Sequence, residues 1–200
     1  YPGVSGPGIT EALQHGDRDG TVWRPAEADV SIRRGWFYHP AQDATVRTVD
    51  QLVDLYFSSV GRNSKLLLNV PPTKDGLLHE TDVARLAGMH DQLRKLFAED
   101  LTQHVKGEGV VFTTSAQREI DFGRPTTISI VRLAEDITRG QSIRGYRVLG
   151  AAEGGDWQVL SSGTTIGYAK IDRLTPTAVR RLRVIAEGTA PVSPVSVGVY

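Results

Sequence analysis

From residue 107 onward, apolar side chains recur at every second position in short runs, and a period of two is the signature of strands. TTISIVR (126–132), IRGYRVLG (143–150), DWQVLSSG (156–163), TTIGYAKI (164–171), VRRLRVIAEG (179–188) and VSVGVY (195–200) are such runs, punctuated by Gly, Asp, Thr or Pro. Within one of them Leu182, Val184 and Ala186 point one way, and Arg181, Arg183 and Ile185 the other. Several short strands at this spacing predict an antiparallel β-sandwich over 107–200.

Residues 1–106 follow a different rhythm. Thr48 and Gln51 have the spacing of a capping box, and Val49, Leu52, Val53, Tyr56 and Val60 then form one apolar stripe. This predicts a helix over 48–61, with Gly61 as a left-handed stop. KLLLNV (65–70), closed by Pro71 and Pro72, predicts a strand buried on both faces. A second helix follows over about 81–98, with Leu86, Met89, Leu93 and Leu96 along its seam. Helix, buried strand and helix make an α/β pattern, so the chain is expected to be α/β plus all-β.

Composition narrows the function. Lysine plus arginine and aspartate plus glutamate are 23 each, so the formal net charge is zero. That balance gives no electrostatic reason to expect nucleic acid or an anionic membrane as a partner. The absence of cysteine removes disulfides and thiolate chemistry. The five histidines show no metal-ligand spacing, and HETD (79–82) lacks the second histidine of a zinc-binding helix, so neither metal nor cofactor is expected. The opening YPGVSGPGITEALQHGD has no initiator methionine, basic start or apolar signal core, and reads as the interior of a longer sequence. Nothing in the composition sets an oligomeric state.

The stretch richest in chemistry is WRPAEADVSIRRGWFYHP (23–40), where Glu27, Asp29, Arg33, Arg34 and His39 fall among Trp23, Trp36, Phe37 and Tyr38. Aromatic faces stack on the apolar side of a sugar ring while polar groups fix its hydroxyls. A carboxylic acid kept protonated by apolar neighbours can protonate a glycosidic oxygen. The spacing alone leaves an ion-paired Glu27, with Arg33 or Arg34 as partner, equally open. It also leaves His39 as a hydrogen-bonded structural histidine. Asn69 lies at the C-terminal end of its strand, the side on which barrel active sites form, and it can instead satisfy loop backbone groups.

WRPAEADVSIRRGWFYHP and SVGRNSKLLLNVPPTKDGLLHETDVARL (59–86) resemble late barrel motifs of family 29 glycoside hydrolases, the α-L-fucosidases, in the branch acting on α-1,3- or α-1,4-linked fucose. DFGRPTTISIVRLAEDITRGQSIRGYRV and DWQVLSSGTTIGYAKIDRL resemble the galactose-binding-like sandwich that follows the barrel in those enzymes. The resemblance implies that residues 1–106 are the C-terminal segment of a catalytic (β/α) barrel and that 107–200 are the sandwich. It implies exo-hydrolysis of terminal α-L-fucose, with retention, from oligosaccharides or glycoconjugates. Glu27 then takes the place of the general acid/base, and Trp36 and Trp23 those of pocket walls. The family's nucleophilic aspartate and fucose-gripping histidines belong to earlier strands and have no counterpart here. The alternative is a non-catalytic fragment or carbohydrate-binding module. Relatives are commonly secreted, periplasmic or lysosomal. Arg34 stands where relatives have proline, and the stretch between Lys106 and Asp121 is short, so one or two sandwich strands are expected to be missing or remodelled.

Overall fold

The computed structural model describes residues 6–20, 23–105, 107–111, 114–189 and 191–200. Two compact units emerge. One comprises Pro25–Val60 and Ser64–Ala98; the other gathers the described residues up to Arg24, Gly61–Asn63 and Glu99–Tyr200. They are called the α/β unit and the β unit below.

The α/β unit contains strand β1 (Ala26–Ser31), a 3-10 helix (Pro40–Thr45), helix α2 (Val49–Ser59), strand β2 (Ser64–Asn69) and helix α3 (Glu80–Leu96). A short helix, α1 (Ile9–His15), precedes them in the β unit. Thr48 caps α2 as the sequence predicts: its hydroxyl accepts from the Gln51 amide at 3.2 Å, and the Gln51 side chain accepts from the Thr48 amide at 2.9 Å. The left-handed residue after α2 is Asn63, with φ of 67°, rather than Gly61.

β1 and β2 run parallel in the register Glu27 to Lys65, Asp29 to Leu67 and Ser31 to Asn69. Leu68 and Val70 turn toward Ile32, Val46 and Leu52, where Leu86 and Met89 of α3 complete the core. Because side chains alternate along a strand, Lys65, Leu67 and Asn69 take the opposite face, together with Glu27, Asp29 and Ser31. That face carries no helix of this unit, and Leu67 is 49% exposed. The expectation of a strand buried on both sides is therefore corrected: β2 is covered on one. Two parallel strands with helices on a single face are present, and the described residues contain no closed barrel.

The β unit holds the strands β3 (Gly107–Val111), β4 (Ser115–Glu135), β5 (Ile143–Ala151), β6 (Gln158–Gly163), β7 (Lys170–Gly188) and β8 (Val195–Val199). All pairings are antiparallel. The hydrogen-bonded order is β3-β4-β7-β5-β6, with β8 added to β4. β4 and β7 are long because each passes through register shifts between Asp121 and Thr126 and between Ile128 and Ile130, where bulges bend the ladder. Before the first shift β4 is flanked by β3 and β7; beyond the second it is flanked by β7 and β8.

Both halves bury side chains in one cluster that includes Ile120, Ile128, Leu133, Val148, Leu182, Val184 and Val199. Leu182, Val184 and Ala186 do share the buried side. TTIGYAKI does not form a separate strand: residues 164–169 are turn and irregular chain, and β7 absorbs the remainder. The short stretch after Lys106 still supplies β3 and the start of β4. Among the described residues, no helix is long and apolar enough to cross a membrane.

Candidate functional site

The candidate site is built at the C-terminal ends of β1 and β2. Ser31 donates its hydroxyl proton to the Gly35 carbonyl at 2.7 Å, folding the chain back directly after β1. Asn69, opposite it, donates through Nδ2 to Ser31 Oγ at 3.0 Å and to the Trp36 carbonyl at 3.1 Å. Two side chains on adjacent parallel strands therefore fix the backbone of the Gly35–Trp36 bend. Asn69 satisfies loop backbone, as one reading of the sequence holds. Ser31 went unnoticed in the sequence because a serine before a turn is too common to single out.

Beneath that bend lies a buried charge assembly. Arg33 is 2% exposed, and its Nε donates to Asp82 Oδ2 at 2.9 Å while Nη1 donates to Asp43 Oδ1 at 2.6 Å. Burial works against the charged guanidinium, but the hydrogen bonds it donates to the two carboxylates outweigh that and hold the proton more firmly than usual. The ring of Tyr38 lies 4.7 Å from the guanidinium carbon. Its hydroxyl proton is held more tightly than usual, through loss of hydration and the nearby charge of Asp43. His79 packs against Tyr38 with ring centroids 5.7 Å apart. His79 also accepts from the Thr81 amide through Nδ1, capping α3, and places Nε2 3.4 Å from Asp43 Oδ2. The loop after β1, the 3-10 helix and the start of α3 are thereby joined.

Glu27 is the second residue of β1, exposed, opposite Lys65 and toward the other end of the strand from the Ser31–Asn69 pair. Among the described residues it makes no salt bridge, and Arg33, one of the two partners the sequence offered, is committed to Asp43 and Asp82. Asp29 is exposed on the same face. Trp36 is 50% exposed and Phe37 78%. The side chain of His39 is exposed and makes no cap for the 3-10 helix that follows it. Trp23 belongs to the β unit, where its ring meets that of Tyr168 edge-on at 6.1 Å. Glu27 and Trp36 thus stand on one strand and its exit loop, while Trp23 is part of a separate aromatic pair. An open depression of about 280 Å³ in the α/β unit, lined by Arg47, Gln51, Asp54, Leu55 and Ser58, includes none of these residues. No group of three or more His, Cys, Asp or Glu suited to a metal ion occurs among the described residues.

The chain has relatives among known proteins. The family model for alpha-L-fucosidase matches residues 8–96, the segment that holds the whole assembly. Alpha-L-fucosidase 1 of Arabidopsis thaliana is 30% identical over 188 residues, which is 80% of this chain and 37% of that protein. The chain is similar to α-L-fucosidases in both sequence and fold. The crystal structure of SpGH29 is 34% identical with a TM-score of 0.82, covering 95% of this chain and 47% of that one. A Ruminococcus gnavus GH29 fucosidase, solved in complex with fucose, is 29% identical with a TM-score of 0.84, covering 92% and 43%. The match extends through the antiparallel β unit, so the likeness is to the C-terminal part of family 29 fucosidases. The chain spans 37% to 47% of the length of these relatives.

Proposed function

We propose that this fucosidase chain supplies the general acid/base and one pocket wall for exo-hydrolysis of terminal α-L-fucose. The substrate is a fucosylated oligosaccharide or glycoconjugate, with α-1,3 or α-1,4 linkage. In this reading residues 1–106 complete a catalytic (β/α) barrel, and 107–200 form a β-sandwich. The observation that carries it is the placement of Glu27 on the helix-free face of a parallel strand whose exit loop holds a tryptophan at half exposure.

Glu27 protonates the departing glycosidic oxygen, then takes a proton from the water that releases fucose from a covalent intermediate. Retention requires a second carboxyl about 5–5.5 Å away. It is assigned to no aspartate of this chain and comes from preceding strands of the barrel. Those strands also give Glu27 the dry surroundings that an acid working near neutrality needs. Trp36 walls the fucose pocket. The test is turnover of an aryl α-L-fucoside by this chain joined to the barrel strands that carry the nucleophile. Glu27→Ala is expected to lower kcat about a hundredfold or more, with fucose binding retained. Unchanged turnover in that variant would refute the assignment of Glu27.

A second reading is favoured by the exposure of Glu27: a solvated carboxylate has nothing to keep it protonated. The chain by itself is then a non-catalytic portion that binds fucose without cleaving it. Fucose binding without turnover in the wild-type chain selects this reading.

A further inference from the structure

We infer that α1 is a detachable strap of the β unit: it opens without unfolding the sheet, and while closed it seals the amine of Lys170. The helix is seven residues long and none of them is buried; Leu13 is 49% exposed. A helix that short does not persist in water by itself, and in proteins helices rest mainly on an apolar face turned into a core. No such buried face exists on α1. Its described ties gather instead at the last turn, where the carbonyls find no partners within a helix. The His15 carbonyl accepts from the Thr164 hydroxyl at 2.6 Å and the Thr165 hydroxyl at 2.7 Å, and the Gln14 carbonyl accepts from Lys170 Nζ at 3.2 Å. An ammonium at that end also complements the helix dipole. Further along, the ion pair of Asp19 with Arg144, at 3.5 Å between exposed side chains, adds little. Gly8 and Gly16, at φ of 82° and 76°, let the chain turn at both ends of the helix.

Closing the strap dehydrates what lies under that turn. Thr165 is 2% exposed and Lys170 4%, and a Cβ added at Gly16 would collide with Thr165 Oγ1. Burial of the amine, reinforced by Arg62 and only partly offset by Asp172, brings its pKa down to about 8, so the ammonium is held there at a cost. Three hydrogen bonds, each worth little once the competing bonds to water are counted, stand against dehydrating that charge and ordering a short helix. The sheet is held differently: β4 and β7 bury Ile120, Leu133, Leu182 and Val184 in one continuous cluster. Opening α1 is therefore far easier than opening the sheet, and the two are separate events. With the strap open, Lys170 is a hydrated primary amine that can act as a nucleophile toward acyl donors.

The test follows the full chain by hydrogen exchange and by limited acetylation at pH 8 with the N-hydroxysuccinimide ester of acetic acid. In that reaction the neutral amine attacks the ester carbonyl, an amide bond forms, the N-hydroxysuccinimide anion leaves and the amine's proton passes to buffer. The amides of Ala12 and Gly16 are expected to exchange about a hundredfold or more faster than those of Leu182 and Val184 in β7. Thr165→Val removes one donor to the His15 carbonyl. It should speed α1 exchange and Lys170 acetylation together, by about two- to tenfold, with β7 exchange and acetylation of exposed Lys65 and Lys74 unchanged. Leu13→Pro breaks the helix at an exposed position and should bring Lys170 close to the acetylation rate of Lys65, with the β7 amides still protected. The inference is overturned if α1 exchanges no faster than β7, or if Leu13→Pro strips protection from the sheet as well. It is equally overturned if α1 exchange accelerates in the variants while Lys170 acetylation does not, because the helix then seals nothing.

Discussion

Arg33 and Glu135 show two ways of keeping a charge out of water. Arg33 is balanced by two carboxylates, and its partner Asp82 is fully buried on the first turn of α3. Removing one member of such a pair strands the other. Asp82→Ala is therefore expected to lower stability by about 3–5 kcal/mol in urea titration, and Asp43→Ala by less, because Asp43 is partly solvated. Glu135, 5% exposed, is balanced by donors: Oε2 accepts from the Ser142 amide, the Ser142 hydroxyl and the Ile143 amide, and Oε1 from the Gly167 amide. Glu135→Gln sets an amide NH₂ against N–H groups and should cost about 1–3 kcal/mol by the same measurement. Neither assembly was legible in the sequence. Arg33 and Asp82 are 49 residues apart, and in the sequence an arginine between a strand with two carboxylates and a tryptophan looks like a surface cation. Glu27 was singled out by the motif around it, but its exposure could not be read there, since exposure depends on what covers the strand.

Helices and strands were read best where local chemistry decided the outcome. The Thr48–Gln51 box is satisfied within four residues, so its helix starts where the sequence says. The alternation of Leu182, Val184 and Ala186 survives because one face of β7 meets a continuous core. What could not be read was set by distant partners. The stop after α2 moved to Asn63 because its side chain donates to the Ile166 carbonyl and accepts from the Ala169 amide. The supposed strand over 164–169 gives way to a turn that presents Gly167 to Glu135. Helix packing is tight at one point: a Cβ added at Gly88 of α3 would stand 2.6 Å from Val49 Cγ2 at the start of α2. Gly88→Ala gains helix propensity of about 1 kcal/mol, whereas overpacking costs about 1–3 kcal/mol. Crowding by the first carbon of the side chain should win, and Gly88→Leu should be worse than Gly88→Ala in thermal unfolding.

The response of the whole molecule to alkali follows from one buried cluster of the β unit. Lys170 donates to the Gln14 carbonyl and lies beside Tyr146, Asp172 and Arg62; burial, reinforced by Arg62, brings its pKa down to about 8. Tyr146 donates to Asp172 at 2.6 Å, and burial with the adjacent carboxylate holds its proton well above the ordinary value of 10. Between about pH 8 and 10.5 the unfolded chain keeps a proton on Lys170 that the folded chain has released, so stability contributed by this group rises with pH. Above about pH 10 the unfolded chain loses the tyrosine proton that the folded chain retains, and stability falls. Urea midpoints taken from pH 7 to 11 should pass through a maximum near pH 10. Lys170→Met should flatten the ascending limb and Tyr146→Phe the descending one.

Gly61–Asn63 leaves the α/β unit for three residues, exchanges backbone hydrogen bonds with Ala169 and Ile171, and returns. Dividing the gene after residue 98 would therefore not yield two intact halves. The downstream product would lack the little strip that lines the start of β7, and the upstream product would carry those three residues with nothing to bond to.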